Sequence, residues 1–145
     1  MTEFSPFPEL PGYLIRRLQQ IAVAAFVNRV AQAGVDITPV QYGAMVAIAQ
    51  EPGIDQATLA SRIAYDRVTI GGVVDRLCQK GYVVRTVNPD DRRARILRLT
   101  TTGAQTLERI TPTVHDAQAD ILAGLAQAER DTFMQLLKKL TTRTE

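Results

Sequence analysis

Apolar positions recur every three to four residues over residues 10–33, and they do so in two adjacent rows. Leu14, Leu18, Ile21 and Ala25 form one; Ile15, Ala22, Phe26 and Val30 form the other. That spacing predicts a helix whose apolar surface is wide enough to need cover on more than one side. Ahead of it, Phe4 and Phe7 stand among Pro6, Pro8 and Pro11, which predicts an extended arm. Gly34 ends the first helix, and Thr38-Pro39-Val40-Gln41 begins a second. There the Thr38 hydroxyl caps, Pro39 fits the first helical position and Gln41 completes a capping box. This helix stops near Gln50, before Pro52-Gly53. Asp55 caps a short third helix with Leu59, Ala60 and Ile63 inward. Asp66 caps a fourth, with Ile70, Val73, Val74 and Leu77 inward, and Lys80-Gly81 closes it. The period then drops to two. Residues 82–87 and 95–99 predict the strands of a hairpin, joined by a polar turn over residues 88–94. Thr100 caps a fifth helix over residues 101–122, striped by Leu107, Ile110, Val114, Ala117 and Ile121, with a bend expected at Pro112. After Gly124, a sixth helix over residues 128–141 carries Phe133, Leu136, Leu137 and Leu140 on one face and lacks a strong side-chain cap.

The order of helices two, three and four followed by a hairpin predicts a mainly α protein with a small β-hairpin: a winged helix-turn-helix over residues 38–100. The flanking helices, residues 10–33 and 101–143, have apolar faces that a chain this short covers only with a second copy. In a helix-turn-helix the second helix enters the DNA major groove, its N-terminal part nearest the base edges. The outward candidates there are Arg67, Thr69, Gly71, Gly72 and Arg76. Two adjacent glycines cost helix stability, about 1 kcal/mol each relative to alanine. Their presence fits a close approach to the backbone, by a DNA strand or by another helix. At the hairpin tip, Arg92 and Arg93, with Arg95 just behind, can enter a minor groove, and Asp91 can hold an arginine in direction. Two copies related by a two-fold axis would set their recognition helices about one DNA turn apart, ~34–36 Å.

Composition narrows the class. Hydrophobic residues make up 46% and charged residues 22% of the 145, enough for a packed core. No apolar run approaches the ~20 residues of a membrane span, and no secretory leader pattern opens the chain, so a cytoplasmic protein is expected. One cysteine and one histidine leave no internal disulfide, no cysteine-based zinc site and no His-triad metal site, and no cofactor is expected. The net charge is only +2, yet residues 62–98 hold nine basic and four acidic residues. A basic middle between acidic ends places one polyanion-facing region in the predicted reading unit. An enzyme is not expected: there is no supported Ser/His/Asp arrangement, no glycine-rich phosphate loop, and Asp90-Asp91 sits on a turn.

Leu59-Ala60-Ser61-Arg62-Ile63, Asp66-Arg67-Val68-Thr69-Ile70, Val74-Asp75-Arg76-Leu77, Lys80-Gly81-Tyr82-Val83, and Asp90-Asp91-Arg92-Arg93-Ala94 through Leu99-Thr100 together resemble MarR-family transcriptional regulators. The likeness runs over essentially the whole chain, which reads as a single domain of this kind, residues 1–145. It implies a homodimer with interlocked terminal helices, bound to a palindromic operator on double-stranded DNA, usually as a repressor. On the family's Asp-x-Arg wing motif, Asp91 orients the tip and Arg93 enters the minor groove. Gly71-Gly72 depart from the larger polar residues of many relatives. The resemblance also implies a small aromatic acid as effector, in a crevice between the dimerisation helices and the DNA-binding lobe. Tyr13, Arg16, Arg17, Tyr42, Met45 and His115 are the candidates for that crevice. The openings at residues 11–17 and 65–67 are similar to regulators of aromatic-acid breakdown, which would make a hydroxylated nicotinate or benzoate the effector. Each candidate also has a plainer role: a solvated helix start for Arg16 and Arg17, core for Tyr42, surface or dimer interface for His115. Cys78 reads as structural. A redox-sensing regulator or a winged-helix protein–protein adaptor are the alternatives.

Overall fold

The computed structural model describes residues 1–142, so the expected bound at residue 143 lies outside the described residues. Helix α1 spans Pro11–Gln32, α2 Pro39–Gln50, α3 Gln56–Arg62, α4 Arg67–Gln79, α5 Thr101–Ile121 and α6 Gln127–Thr141. Strands β1 (Ile54–Asp55), β2 (Val83–Asn88) and β3 (Asp91–Leu99) form one antiparallel sheet in the order β1-β3-β2. The chain is therefore a winged helix-turn-helix flanked by long helices.

Local chemistry sets most boundaries. Thr38 and Gln41 form the reciprocal capping box, at 3.2 Å in both directions. The carboxylates of Asp55 and Asp66 accept the N–H groups of Thr58 and Thr69, both at 2.8 Å. The Thr100 hydroxyl accepts from Gly103 N–H at 2.9 Å and donates to the Gly81 carbonyl at 2.6 Å. Gly34 and Gly81, past the ends of α1 and α4, take φ values of 78° and 77°, the left-handed region that glycine enters without steric cost. In the turn between α3 and α4 the left-handed position falls on Ala64, φ 58°, at a cost of roughly 1–2 kcal/mol.

Four details differ from the sequence expectation. The arm tightens into one 3-10 turn at Phe7–Glu9, closed by Leu10 N–H donating to the Phe7 carbonyl. Strand β1 is new: two residues are too few to carry a period, and pairing with Ile96 and Leu97 creates them as strand. The connection between β2 and β3 is only Pro89-Asp90, because β3 begins at Asp91 rather than at residue 95. Asn88 pairs with Asp91 while Val87 pairs with Arg95, so Arg92, Arg93 and Ala94 bulge from the ladder. Helix α6 begins one residue early, at Gln127, since Glu129 reaches back to accept from the Ala126 N–H at 2.8 Å.

Two clusters build the core. The larger one lies under the helix-turn-helix and joins α2, α3, α4 and the sheet through Met45, Ile48, Leu59, Ile70, Leu77 and Leu97, none of which has exposed surface. The smaller unites α1, α2 and α5 through Phe26, Val30, Val35, Ile37, Ile110 and Val114, with Tyr42 packed edge-on to Phe26 at 5.9 Å. Arg29 grips Asp120 with two bonds of 2.7 and 2.9 Å, and Arg109 donates to the Ala33 carbonyl at 2.8 Å, fixing α1 along α5. Beyond Phe26 toward its N-terminus, α1 has no fully buried residue, and Leu14, Ile15 and Ile21 are exposed. Helix α6 has no buried residue at all, and Leu136 and Leu140 are more than half exposed.

Candidate nucleic-acid interface

Helix α4 presents its inner face to the core through Ile70, Val73, Val74 and Leu77, which leaves Arg67, Thr69, Gly72 and Arg76 outward. The Asp66 cap fixes where the helix starts and so where Arg67 stands. Hydrogen bonds from the Thr69 N–H and hydroxyl hold the Asp66 carboxyl below its ordinary range. The Thr69 hydroxyl is thereby committed as a donor to Asp66 at 2.7 Å, so toward DNA it offers only lone pairs.

The wing approaches this helix start. Arg67, Asp91, Arg93 and Arg95 line one cleft with Asp55, Gln56 and Ala57 of the α3 start, about 460 Å³ in volume. Asp91 accepts from the Arg93 backbone N–H at 3.1 Å and pairs with its Nε at 3.5 Å. The Arg93 side chain is 93% exposed. Arg95 donates to the Arg92 carbonyl at 3.1 Å, closing the bulge, while Arg92 projects outside the cleft. Asp55 spends its carboxylate on Thr58, whose N–H and hydroxyl hold it below its ordinary range. Three guanidinium groups thus line an open cleft whose carboxylates are already engaged. Arg76 lies further along α4, exposed and outside this cleft. A methyl group on Gly72 would meet nothing within 4 Å, and one on Gly71 would meet only the Gln56 amide nitrogen at 3.6 Å, so no packing inside the protomer demands either glycine.

Sequence reasoning missed a linked pair here. Arg85 of β2 donates to Asp75 of α4 at 2.6 Å and to Gln56 Oε1 at 3.3 Å, tying α3, α4 and the wing together. No spacing signal marks either residue; only the position of Gln56 next to a capping aspartate hints at it.

The effector candidates are dispersed within the protomer. Tyr13 packs edge-on to Phe7 at 5.2 Å, Arg17 donates to Gln20 at 2.9 Å, and Arg16 and His115 are exposed. Tyr42 is half-buried, its hydroxyl 3.2 Å from Thr111 Oγ1. Met45 is fully buried in the core under the helix-turn-helix and lines no slot, because it faces inward from α2. Burial pushes the Cys78 thiol up, away from the thiolate a redox sensor needs. Among the described residues no cluster fit for a metal is present and no helix is long and apolar enough to cross a membrane.

A basic cleft shared by a capped recognition helix and an arginine-tipped wing defines a winged-helix DNA-binding regulator. Residues 35–94 match the MarR family. The putative transcriptional regulatory protein for the hcr operon of Thauera aromatica is 39% identical over 89% of this chain and 77% of its own length. The Streptomyces coelicolor transcriptional regulator PcaV, in complex with its natural ligand, superposes with a TM-score of 0.88 at 32% identity, covering 99% of this chain and 100% of that one. Bordetella bronchiseptica BpsR, whose DNA binding is regulated by 6-hydroxynicotinic acid, also gives 0.88, at 26% identity over 98% and 100% of the two chains. The chain belongs to the MarR family of transcriptional regulators.

Proposed function

We propose that this protein is a homodimeric repressor that holds a palindromic operator and releases it when a small aromatic acid binds. The observation that carries the reading is the cleft in which Arg67 of the recognition helix meets Arg93 and Arg95 of the wing, with Asp91 steering the tip. Arg92 and Arg76 extend the same cationic surface, and Gly72 leaves the helix backbone open to a strand, with Gly71 half-buried beside it. The exposed apolar faces of α1 and α6 supply the surface on which a second copy closes. Membership in a family of regulators, and a relative whose DNA binding answers to an aromatic acid, support the regulatory half.

For the effector, the fitting crevice is a slot of about 400 Å³ between α2 and α5, lined by Ala49, Leu99, Ala104, Leu107, Glu108, Thr111 and Pro112. Its volume lies within the range of small-molecule sites, and Tyr42 reaches its edge through Thr111. No cation of the protomer lines it, so this reading needs a carboxylate there to be met from a second copy, for which the exposed Arg16 and Arg17 are the candidates. Effector and operator then compete through population shift: the acid weakens DNA binding only by its differential affinity for the two lobe spacings.

Band-shift titration with duplex DNA from upstream of the protein's own gene tests both halves. Operator binding is expected at nanomolar to submicromolar protein, with log affinity falling linearly with log salt, and one of a panel of hydroxylated nicotinates and benzoates is expected to release it. Failure to bind any such duplex at low salt would overturn the DNA reading and leave the adaptor alternative standing. Binding that no acid relieves would overturn the effector half alone.

A further inference from the structure

We propose that Gln56 is a phosphate-contacting residue of the DNA interface, its amide oxygen held by Arg85 and Asp75 so that the N–H2 is left free beside Gly71, and that the Gly71-Gly72 pair is the gap through which the strand reaches it. The proposal rests on the reading of this chain as a DNA-binding regulator.

Gln56 is the first residue of α3 and lines the arginine cleft beside Arg67, Arg93 and Arg95. Its amide has two unlike ends, and a polyanion attracts one and repels the other. Arg85 Nη1 lies 3.3 Å from the oxygen end, while Arg85 Nη2 is anchored on Asp75 at 2.6 Å. A guanidinium only donates, so the atom facing Arg85 is the carbonyl oxygen and the free end is the N–H2 donor. That donor makes no hydrogen bond among the described residues, the one bond of the amide being accepted by its oxygen. It stands 3.6 Å from where a Gly71 methyl would be, and a methyl on the following residue, Gly72, would meet nothing within 4 Å. A longer side chain at residue 71 would cover the amide. With glycine there, a strand in the cleft meets a fixed neutral donor flanked by three guanidinium groups. The glycine pair and the Asp75–Arg85–Gln56 relay thus serve one end. Contact to a phosphate sets affinity and register and carries no base preference. Asp75 and Arg85 act as positioning residues.

Fluorescence anisotropy of the full-length protein on operator and scrambled duplexes of equal length tests this. Gln56→Ala is expected to weaken binding to both duplexes about tenfold. Its salt slope should stay unchanged, because a neutral donor displaces no counterion, whereas Arg67→Ala lowers the slope by about one phosphate's worth. Gln56→Glu keeps the bond to Arg85 and turns a carboxylate toward the strand, so it is expected to bind more weakly than Gln56→Ala. Asp75→Ala should cost at least threefold more in the presence of Gln56 than in its absence, the sign of a shared pathway. Thermal melting confirms that each variant folds. Wild-type affinity in both Gln56 variants, or a loss confined to the operator, would overturn the proposal. A wild-type protein that binds neither duplex overturns the reading of function instead.

Discussion

Gly103 and Gly72 do opposite things in this chain. A methyl on Gly103 would sit 2.0 Å from the Tyr82 carbonyl oxygen, a backbone atom that cannot turn aside. Gly103→Ala is therefore expected to destabilise the fold by about 1–3 kcal/mol through the forced shift, read as a lower urea midpoint. Gly72→Ala, with open space at the position, is expected to gain about 1 kcal/mol of helix propensity and to lose DNA affinity. A variant that gains stability at full affinity would count against a strand approaching the backbone there. Single residues whose chemistry is local are legible in sequence: the caps Thr38, Asp55, Asp66 and Thr100 all act within three residues of themselves. Met45 and Gln56 are not legible. One turns inward only because α2 packs on α4, and the other gains its meaning from Arg85, on a strand 29 residues away.

At the scale of elements, α3 and α4 each hang on one aspartate. Both carboxyls are held below their ordinary range by the bonds they accept. A depressed folded-state value means that the stabilisation is complete above the unfolded value, about 4, and is lost as pH falls through the folded one. Melting temperature is accordingly expected to drop as pH falls below about 4, and Asp66→Asn, which keeps a capping oxygen but cannot titrate, should flatten part of that drop. An unchanged acid limb in Asp66→Asn together with Asp55→Asn would exclude the caps as its cause. The helices are readable from their period because each carries several turns of it. The wing is harder: its ladder breaks at Val87, and the three residues that leave it, Arg92 to Ala94, look like turn in sequence although they lie within β3. What places them is the pairing of Asn88 with Asp91, a property of two strands together.

For the whole molecule, the protomer is visibly unfinished along α1 and α6. Leu14, Ile15, Leu136 and Leu140 are all exposed, although their spacing is that of a buried stripe. Leu14→Lys combined with Leu140→Lys is expected to yield a monomer by sedimentation, and to lose operator affinity far beyond what any single arginine loss causes, since two half-sites must be held at once. A dimer that survives both charges would place the two-fold contact elsewhere. The apolar surplus was legible from one sequence; its partner surface was not, because a stripe records only that it wants cover. One joint bears on how such an assembly responds to an effector. Thr100 is the only residue between β3 and α5, and it is bonded to Gly81 and, through its N–H, to the Tyr82 carbonyl at the foot of α4. No slack segment intervenes. Helix α5 is in effect a crank whose first turn shares one bearing with the start of the wing and the end of α4, so a rotation of that turn carries both with it.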